Sequence, residues 1–474
     1  MTEPRKVDIC VLGAGSGGLT VAAGAAQMGA STVLIEKARM GGDCLNYGCV
    51  PSKSLIAAAR AAEAIRHAPR FGVDGAEPTV DFARVHAHVH GVIQAIAPND
   101  SVERLEALGV TVIQAAGRFT GPREIAADGR AIRARRFVIA TGSSPAVPPI
   151  PGLEAAPYFT NETIFDNRTM PQHLIVIGGG PIGVELGQAH RHLGARVTML
   201  ARSTVLGRDD PELASILCDR LKSDGMDLRE HAKIRRIERT AEGIAVILDG
   251  SGGEERVEGS HLLVAVGRKP NVDGLGLEAA GVAFSTKAIK VDDRLRTTNK
   301  RIFAIGDVVG PYQFTHMASY HAGIVLRNAL FRLPAKVDTR AVPWVTFTDP
   351  ELAHVGARED RARERHGDIR VLRWPFAEID RAQTERKTGG LIKVVTTKNG
   401  RILGASILGA QAGELIHPWV LAIAKGMKIA DLASIIAPYP TLGEITKRVA
   451  GSYFTPVLFG ERTRKLVRFL TRFG

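Results

Sequence analysis

The chain has 474 residues, 45% of them hydrophobic and 23% charged, which predicts roughly three domains at about 150 residues each. Its 62 basic and 49 acidic residues leave a net charge of +13. The basic residues are scattered and aromatics are only 5%, so a base-stacking nucleic-acid surface is not expected. No run approaches the roughly 18 apolar residues of a membrane span. The apolar run from Val7 leaves no room for a signal peptide. Four cysteines do not make a secreted disulfide framework. The expectation is a cytoplasmic enzyme.

Val7-Asp8-Ile9-Cys10-Val11-Leu12 reads as a buried parallel strand. It runs into Gly13-Ala14-Gly15-Ser16-Gly17-Gly18, an alanine-rich helix, and a strand from Ser31 to Ile35 closed by Glu36. This order defines a dinucleotide site. Gly13 allows the tight turn, Gly15 admits a pyrophosphate to the backbone, and Gly18 lets helix and strand pack closely. The helix N-terminus attracts phosphate, and Glu36 can accept bonds from a ribose.

The next stretch is Gly41-Gly42-Asp43-Cys44-Leu45-Asn46-Tyr47-Gly48-Cys49-Val50-Pro51-Ser52-Lys53. Pro51 suits a first helical position and Ser54 to Ala68 reads as helix. Cys49 then sits at a helix N-terminus, where the dipole lowers a thiol pKa. Zinc would want four ligands, and no second cysteine pair or nearby histidine follows, so no metal site is expected. The pair reads as a structural disulfide or a redox-active dithiol, the latter fitting a cytosolic chain better. Cys10, in a strand, and Cys218, on a helix, read as packing residues.

The dinucleotide unit recurs. Leu174 to Ile177 is a strand, Gly178-Gly179-Gly180-Pro181-Ile182-Gly183 a loop, and a helix carrying Glu185 precedes the strand Arg196 to Leu200. The interval from Gly13 to Glu36, counted from Gly178, reaches Ala201, which has no carboxylate. Arg202 follows, then Arg208. A site without the ribose-binding acid and with arginines accommodates a 2′-phosphate, although these arginines could also be simply solvated. The second site is therefore read as NADPH in preference to NADH. Two such sites imply electron transfer between bound cofactors, and the first is most economically FAD.

Near the C-terminus, Thr441-x-x-Glu444 has the form of a helix capping box. From Gly460 to Gly474, Arg462, Arg464, Lys465, Arg468 and Arg472 alternate with Leu466, Val467, Phe469, Leu470 and Phe473. Such a basic amphipathic helix either packs on its own protein or makes weak contact with an anionic membrane surface.

The chain resembles the pyridine nucleotide–disulfide oxidoreductases, among them dihydrolipoamide dehydrogenase, glutathione reductase and mercuric reductase. The likeness runs nearly end to end. GAGSGG at 13–18, GGDCLNYGCVPSK at 41–53, ATG at 140–142 and GGGPIGVELG at 178–187 carry it. AVGRKPN at 265–271, IFAIGD at 302–307 and FTDPELAHVG at 347–356 continue it. The resemblance implies an α/β fold with two Rossmann-like domains and a C-terminal α+β dimerisation domain. FAD would occupy 1–152 with 271–340, NAD(P)H 153–270, and the homodimer interface 341–474. Cys49 would face the flavin and Cys44 would exchange with substrate. Lys53 and Glu185 match the family's ion pair near the flavin. Asp307 would hold its ribityl chain, and Thr141, Gly142 and Gly267 fall in cofactor-binding motifs.

The pattern also departs from the family. Its thiol enzymes carry an acid/base histidine in a His-Pro-Thr-x-x-Glu block, where this chain has Tyr439-Pro440-Thr441-Leu442-Gly443-Glu444. A phenol with pKa about 10 moves protons poorly near neutrality. Mercuric reductase resembles the chain at this tyrosine, and soft thiolates suit a soft metal. Yet mercuric reductase also carries a C-terminal cysteine pair, and no cysteine follows Cys218 here. Asp43 replaces the common threonine and would disfavour a neighbouring thiolate. The expected acceptor is thus a metal ion, disulfide or quinone. Dihydrolipoamide dehydrogenase is the alternative, and a flavin-bearing membrane or partner-binding protein the non-catalytic one.

Overall fold

In the computed structural model, which describes residues 5–250 and 252–473, the first apolar run forms the strand Arg5–Leu12. It pairs in parallel with Thr32–Glu36 on one side and Arg130–Ile139 on the other, placing Val11 opposite both Leu34 and Val138. Val110–Gln114 extends the sheet beyond Thr32–Glu36. Ile302–Ala304 pairs with the C-terminal end of Arg130–Ile139. The other end of that long strand continues into an antiparallel meander with Glu124–Ala127 and Gly117–Gly121.

Both faces of this sheet are covered, which is why its central strands read as unbroken apolar runs. Side chains alternate between the faces. Ile9 and Val11 join a core with Leu19, Ala22, Ile324 and Val325, whereas Cys10 and Leu12 join one with Val33, Phe119 and Phe137. Cys10 is fully buried, the packing role expected of it. Burying a side chain such as Phe137 stabilises by about 1.5–3 kcal/mol.

The chain's contacts define two compact units. The first joins residues up to Arg202 with Arg229–Val337. Besides the sheet described above it holds a second parallel sheet, in which His173–Ile177 lies between Arg196–Leu200 and His261–Val264. A three-stranded antiparallel meander spans Ile234–Arg239, Ile244–Gly250 and Gly253–Gly259.

The second unit joins Ser203–Leu228 with the chain from Asp338 onward. Its five-stranded antiparallel sheet has Ile402–Gly409 at the centre, between Glu351–Gly356 and Leu391–Thr397. Trp419, Phe376 and Ile407 are fully buried in its core. Lys393 is buried too, with Asp210, Glu212 and Glu359 at 2.9, 3.0 and 3.0 Å. Removing one partner of a buried ion cluster costs about 3–5 kcal/mol, because it strands the opposing charge. The helix Pro211–Ser223, which bears Cys218, is thereby tied to this sheet.

Candidate active site

The turn after Arg5–Leu12 needs glycine twice. At Gly13 φ is +103°, and an added Cβ would lie 2.4 Å from the Ala140 carbonyl oxygen. A Cβ on Gly18 would lie 1.8 Å from the carbonyl oxygen of Gly13. Gly15 caps the helix Ser16–Gln27 without any side-chain bond, so no side chain competes there for the first-turn N–H groups. Glu36 ends the second strand buried, and its carboxylate accepts from the N–H groups of Ala14 (2.6 Å) and Ala38 (2.8 Å). That acid therefore also braces the glycine turn. Behind the turn, Thr141 Oγ1 donates to the Asn271 carbonyl at 2.8 Å and Asn271 Nδ2 to that of Thr141 at 2.9 Å. A glycine-walled cradle, an uncapped helix start and an adjoining carboxylate fit FAD.

The two cysteines lie on consecutive helices. Cys44 is in the short helix Gly42–Asn46, and Cys49 opens the helix Cys49–His67 behind Gly48. That helix starts earlier than expected, placing Pro51 third in it rather than first. Both cysteines are free thiols in this structure. The Cys49 thiol is lowered to about 6, chiefly by a hydrogen bond from Cys44, then by Thr315 and the Lys53 charge, while burial opposes. The Cys49 Sγ lies 3.4 Å from Thr315 Oγ1. The Cys44 thiol moves upward, first because its hydrogen bond to Cys49 keeps its proton in place, then through burial. One sulfur is thus a thiolate at neutral pH and the other a thiol.

Lys53, one turn along the same helix, meets buried Glu185 at 2.7 Å. Glu185 stands on the helix Pro181–Leu193, so the expected ion pair joins the cysteine helix to the second nucleotide unit. The second glycine loop repeats the first. Gly178 has φ +121°, a Cβ on Gly183 would lie 2.3 Å from the Gly178 carbonyl oxygen, and Gly180 caps the helix without a side chain. Arg202 is exposed just past Arg196–Leu200 in the first unit, and Arg208 is exposed in the second.

Arg268, Ser143 and Asn161 are not among the expected site residues. The Arg268 guanidinium contacts Asp43 at 3.0 Å and donates to Ser143 Oγ at 2.7 Å. Ser143 in turn donates to Asp307 at 2.6 Å, and Asn161 Nδ2 donates to Asp43 at 3.2 Å. Burial pushes the Asp307 carboxyl up, with Ser143 and Arg268 opposing. Asp43, expected to work against a thiolate at the next residue, therefore has a part-buried arginine against it. Arg268 follows Gly267 in a motif already noted. Thr315 had no local signal.

Tyr439 and Glu444 lie in the second unit. Tyr439 is 69% exposed and donates to Asp380 Oδ2 at 2.9 Å. That bond raises its pKa above the usual phenol value, further from neutrality. Glu444 begins the helix Glu444–Ser452, but no capping box forms. The Thr441 hydroxyl donates to the Pro438 carbonyl at 2.8 Å instead. Glu444 lies 3.8 Å from Arg448.

Residues 7–322 match the family model "Pyridine nucleotide-disulphide oxidoreductase", and residues 342–450 match its dimerisation domain. The chain belongs to this family of FAD-dependent enzymes, which couple NAD(P)H to a redox-active disulfide. It is 34% identical to a mercuric reductase of Staphylococcus aureus, over 94% of this chain and 82% of that protein. It is 35% identical to a dihydrolipoyl dehydrogenase of Bacillus subtilis (strain 168), over 94% of this chain and 96% of that protein. A Cu(II) complex of the HOCl-induced flavoprotein disulfide reductase RclA from Escherichia coli matches with a TM-score of 0.85 at 29% identity. That match covers 94% of this chain and 99% of RclA.

Proposed function

We propose that the enzyme takes electrons from NADPH and delivers them through the Cys44–Cys49 pair to a soft metal ion, in preference to a disulfide or quinone. The observation that carries this is Tyr439, a phenol held by Asp380 at the sequence position where the family's thiol enzymes carry an acid/base histidine. Reducing a dialkyl disulfide requires a proton for each departing sulfur. Reducing a metal ion requires none. One hydride brings two electrons, which convert the Cys44–Cys49 disulfide to one thiol and one thiolate. Reoxidation to the disulfide returns two electrons and releases the thiol proton, enough for one Hg(II) to Hg(0) or two Cu(II) to Cu(I). Thiolate is a soft donor suited to Hg(II) and to the Cu(I) that Cu(II) becomes. RclA forms a complex with Cu(II), which supports metal-ion binding by an enzyme of this fold.

In this reading, 1–152 with 271–340 hold FAD, 153–270 hold NADPH, and 341–474 form a homodimer interface. Bound FAD supplies the two-electron relay between nucleotide and disulfide. Gly13, Gly15, Gly18, Thr141 and Gly142 shape its cradle, and Glu36 and Asp307 offer carboxylates to its hydroxyls. Lys53, neutralised in part by Glu185, places a positive charge beside the thiolate. Gly178, Gly180 and Gly183 receive the NADPH pyrophosphate, Gly267 lies in the accompanying motif, and Arg202 receives the 2′-phosphate.

NADPH oxidation is to be followed against Cu(II), Hg(II), a quinone, lipoamide and glutathione disulfide. The metal ions should give the highest kcat/KM. Faster turnover of either disulfide would overturn the assignment. In the same assay Arg202→Ala should narrow the preference for NADPH over NADH by about 1–3 kcal/mol, the scale of a charged hydrogen bond. A wild type that prefers NADH removes the 2′-phosphate role and leaves the acceptor assignment standing.

A further inference from the structure

We infer that the C-terminal helix Glu461–Leu470 seats the enzyme on an anionic lipid surface. None of its residues is buried. At 100° per residue, Leu466, Val467, Phe469, Leu470 and Phe473 fall in one sector of the helix and its following turn. Each is more than half exposed. The Phe469 and Phe473 rings meet at 5.1 Å and make a continuous apolar ridge. Val457, Leu458 and Phe459, in the preceding turn, are equally exposed. Scattered exposed apolar residues are ordinary, but eight within seventeen positions mark an interaction face.

The opposite face names the occupant. Arg464, Lys465, Arg468 and Arg472 lie there, while Arg462 falls near one edge of the apolar sector, between Phe469 and Phe473. The only acid is Glu461, 3.0 Å from Lys465. A helix docked on protein usually mixes both signs on its solvated face. A face this uniformly basic complements anionic headgroups, and long arginine stems reach around an apolar face to meet them. The helix has ten residues, roughly 15 Å, half the hydrocarbon thickness, so it lies in the interface instead of crossing it. Among the described residues no helix is long and apolar enough to cross a membrane. The segment also lies past residue 450, where the match to the dimerisation domain ends. Apolar burial and a basic patch together supply the two signals that stable peripheral attachment requires.

The test uses the full-length holoenzyme, sedimented with vesicles of phosphatidylcholine alone or with about 30% phosphatidylglycerol. Binding should be at least about tenfold tighter to the anionic vesicles and should weaken with salt. Replacing Arg464, Lys465 and Arg468 with glutamate should lower it by about two orders of magnitude, at roughly a factor of five or more per basic residue. Phe469→Ser with Leu470→Ser should lower it on both vesicle types. FAD content and NADPH-dependent dye reduction should stay unchanged in every variant. If a variant loses FAD, a chain ending at Phe459 replaces it in the comparison. Equal binding to neutral and anionic vesicles, or none to either, overturns the inference. So does loss of an oligomer in Phe469→Ser with Leu470→Ser, measured by sedimentation velocity without lipid, if the wild type ignores vesicles. The helix would then be a contact between copies of this chain.

Discussion

Cys44→Ser and Cys49→Ser should both stop turnover with every acceptor, by at least about 10³-fold, yet differ in their pH titrations. In Cys44→Ser the serine hydroxyl still donates to Cys49, and Thr315 and Lys53 remain. Its thiolate absorbance and its alkylation by iodoacetamide should therefore titrate near the wild-type value of about 6. Thiolate is present above that pH and is lost as the pH falls through it. In Cys49→Ser the remaining thiol is part-buried beside Asp43 and should titrate above the usual 8.5 or so. Colour should follow the same order. A long-wavelength thiolate–flavin absorbance should be visible in Cys44→Ser without reductant and absent from Cys49→Ser. Equal midpoints in the two variants would show that the interchange and flavin-facing roles are wrongly assigned.

This divergence depends on features of different legibility. The glycine turns could be read because their constraint is local. A side chain at Gly18 collides with the Gly13 carbonyl five residues back, and Gly13 itself takes φ +103°, a conformation that favours glycine. The Cys49 helix start was visible for the same reason, though Pro51 misplaced it. Thr315 is 266 residues from Cys49, and Ser143 is 164 from Asp307. No spacing rule reaches those intervals. In sequence Asp43 has no compensating charge beside it, because Arg268 arrives from a distant strand-edge ribbon.

Thr441 illustrates the opposite error, a local pattern overruled by another local bond. Its hydroxyl has two neighbouring options, the N–H groups ahead and the Pro438 carbonyl behind, and the turn takes the second. The C-terminal helix was legible as amphipathic from its period. Which face would be covered was not, because burial depends on what lies opposite.

Tyr439→His should raise lipoamide-linked turnover, by up to the roughly 10²–10⁴-fold that general acid–base catalysis commonly supplies. In the wild type the phenol donates to Asp380, which holds its proton more tightly than an ordinary tyrosine does. An imidazole there would meet the same carboxylate, which favours its protonated form and lifts its pKa to or above the usual 6.5 or so. The gain should appear in kcat and follow that single ionisation, with the acid form present below it and lost above. Tyr439→Phe separates the two possible roles of the phenol. If Tyr439 only fills the histidine position, phenylalanine should leave metal-ion reduction within about twofold. If the phenol itself delivers protons to a thiol, phenylalanine should remove whatever lipoamide activity exists. A wild type turning over lipoamide at roughly 10–10³ per second would defeat the argument from Tyr439 and make a disulfide the natural acceptor. The metal-ion rates measured beside it decide between that outcome and the one expected, because they need no proton at this position.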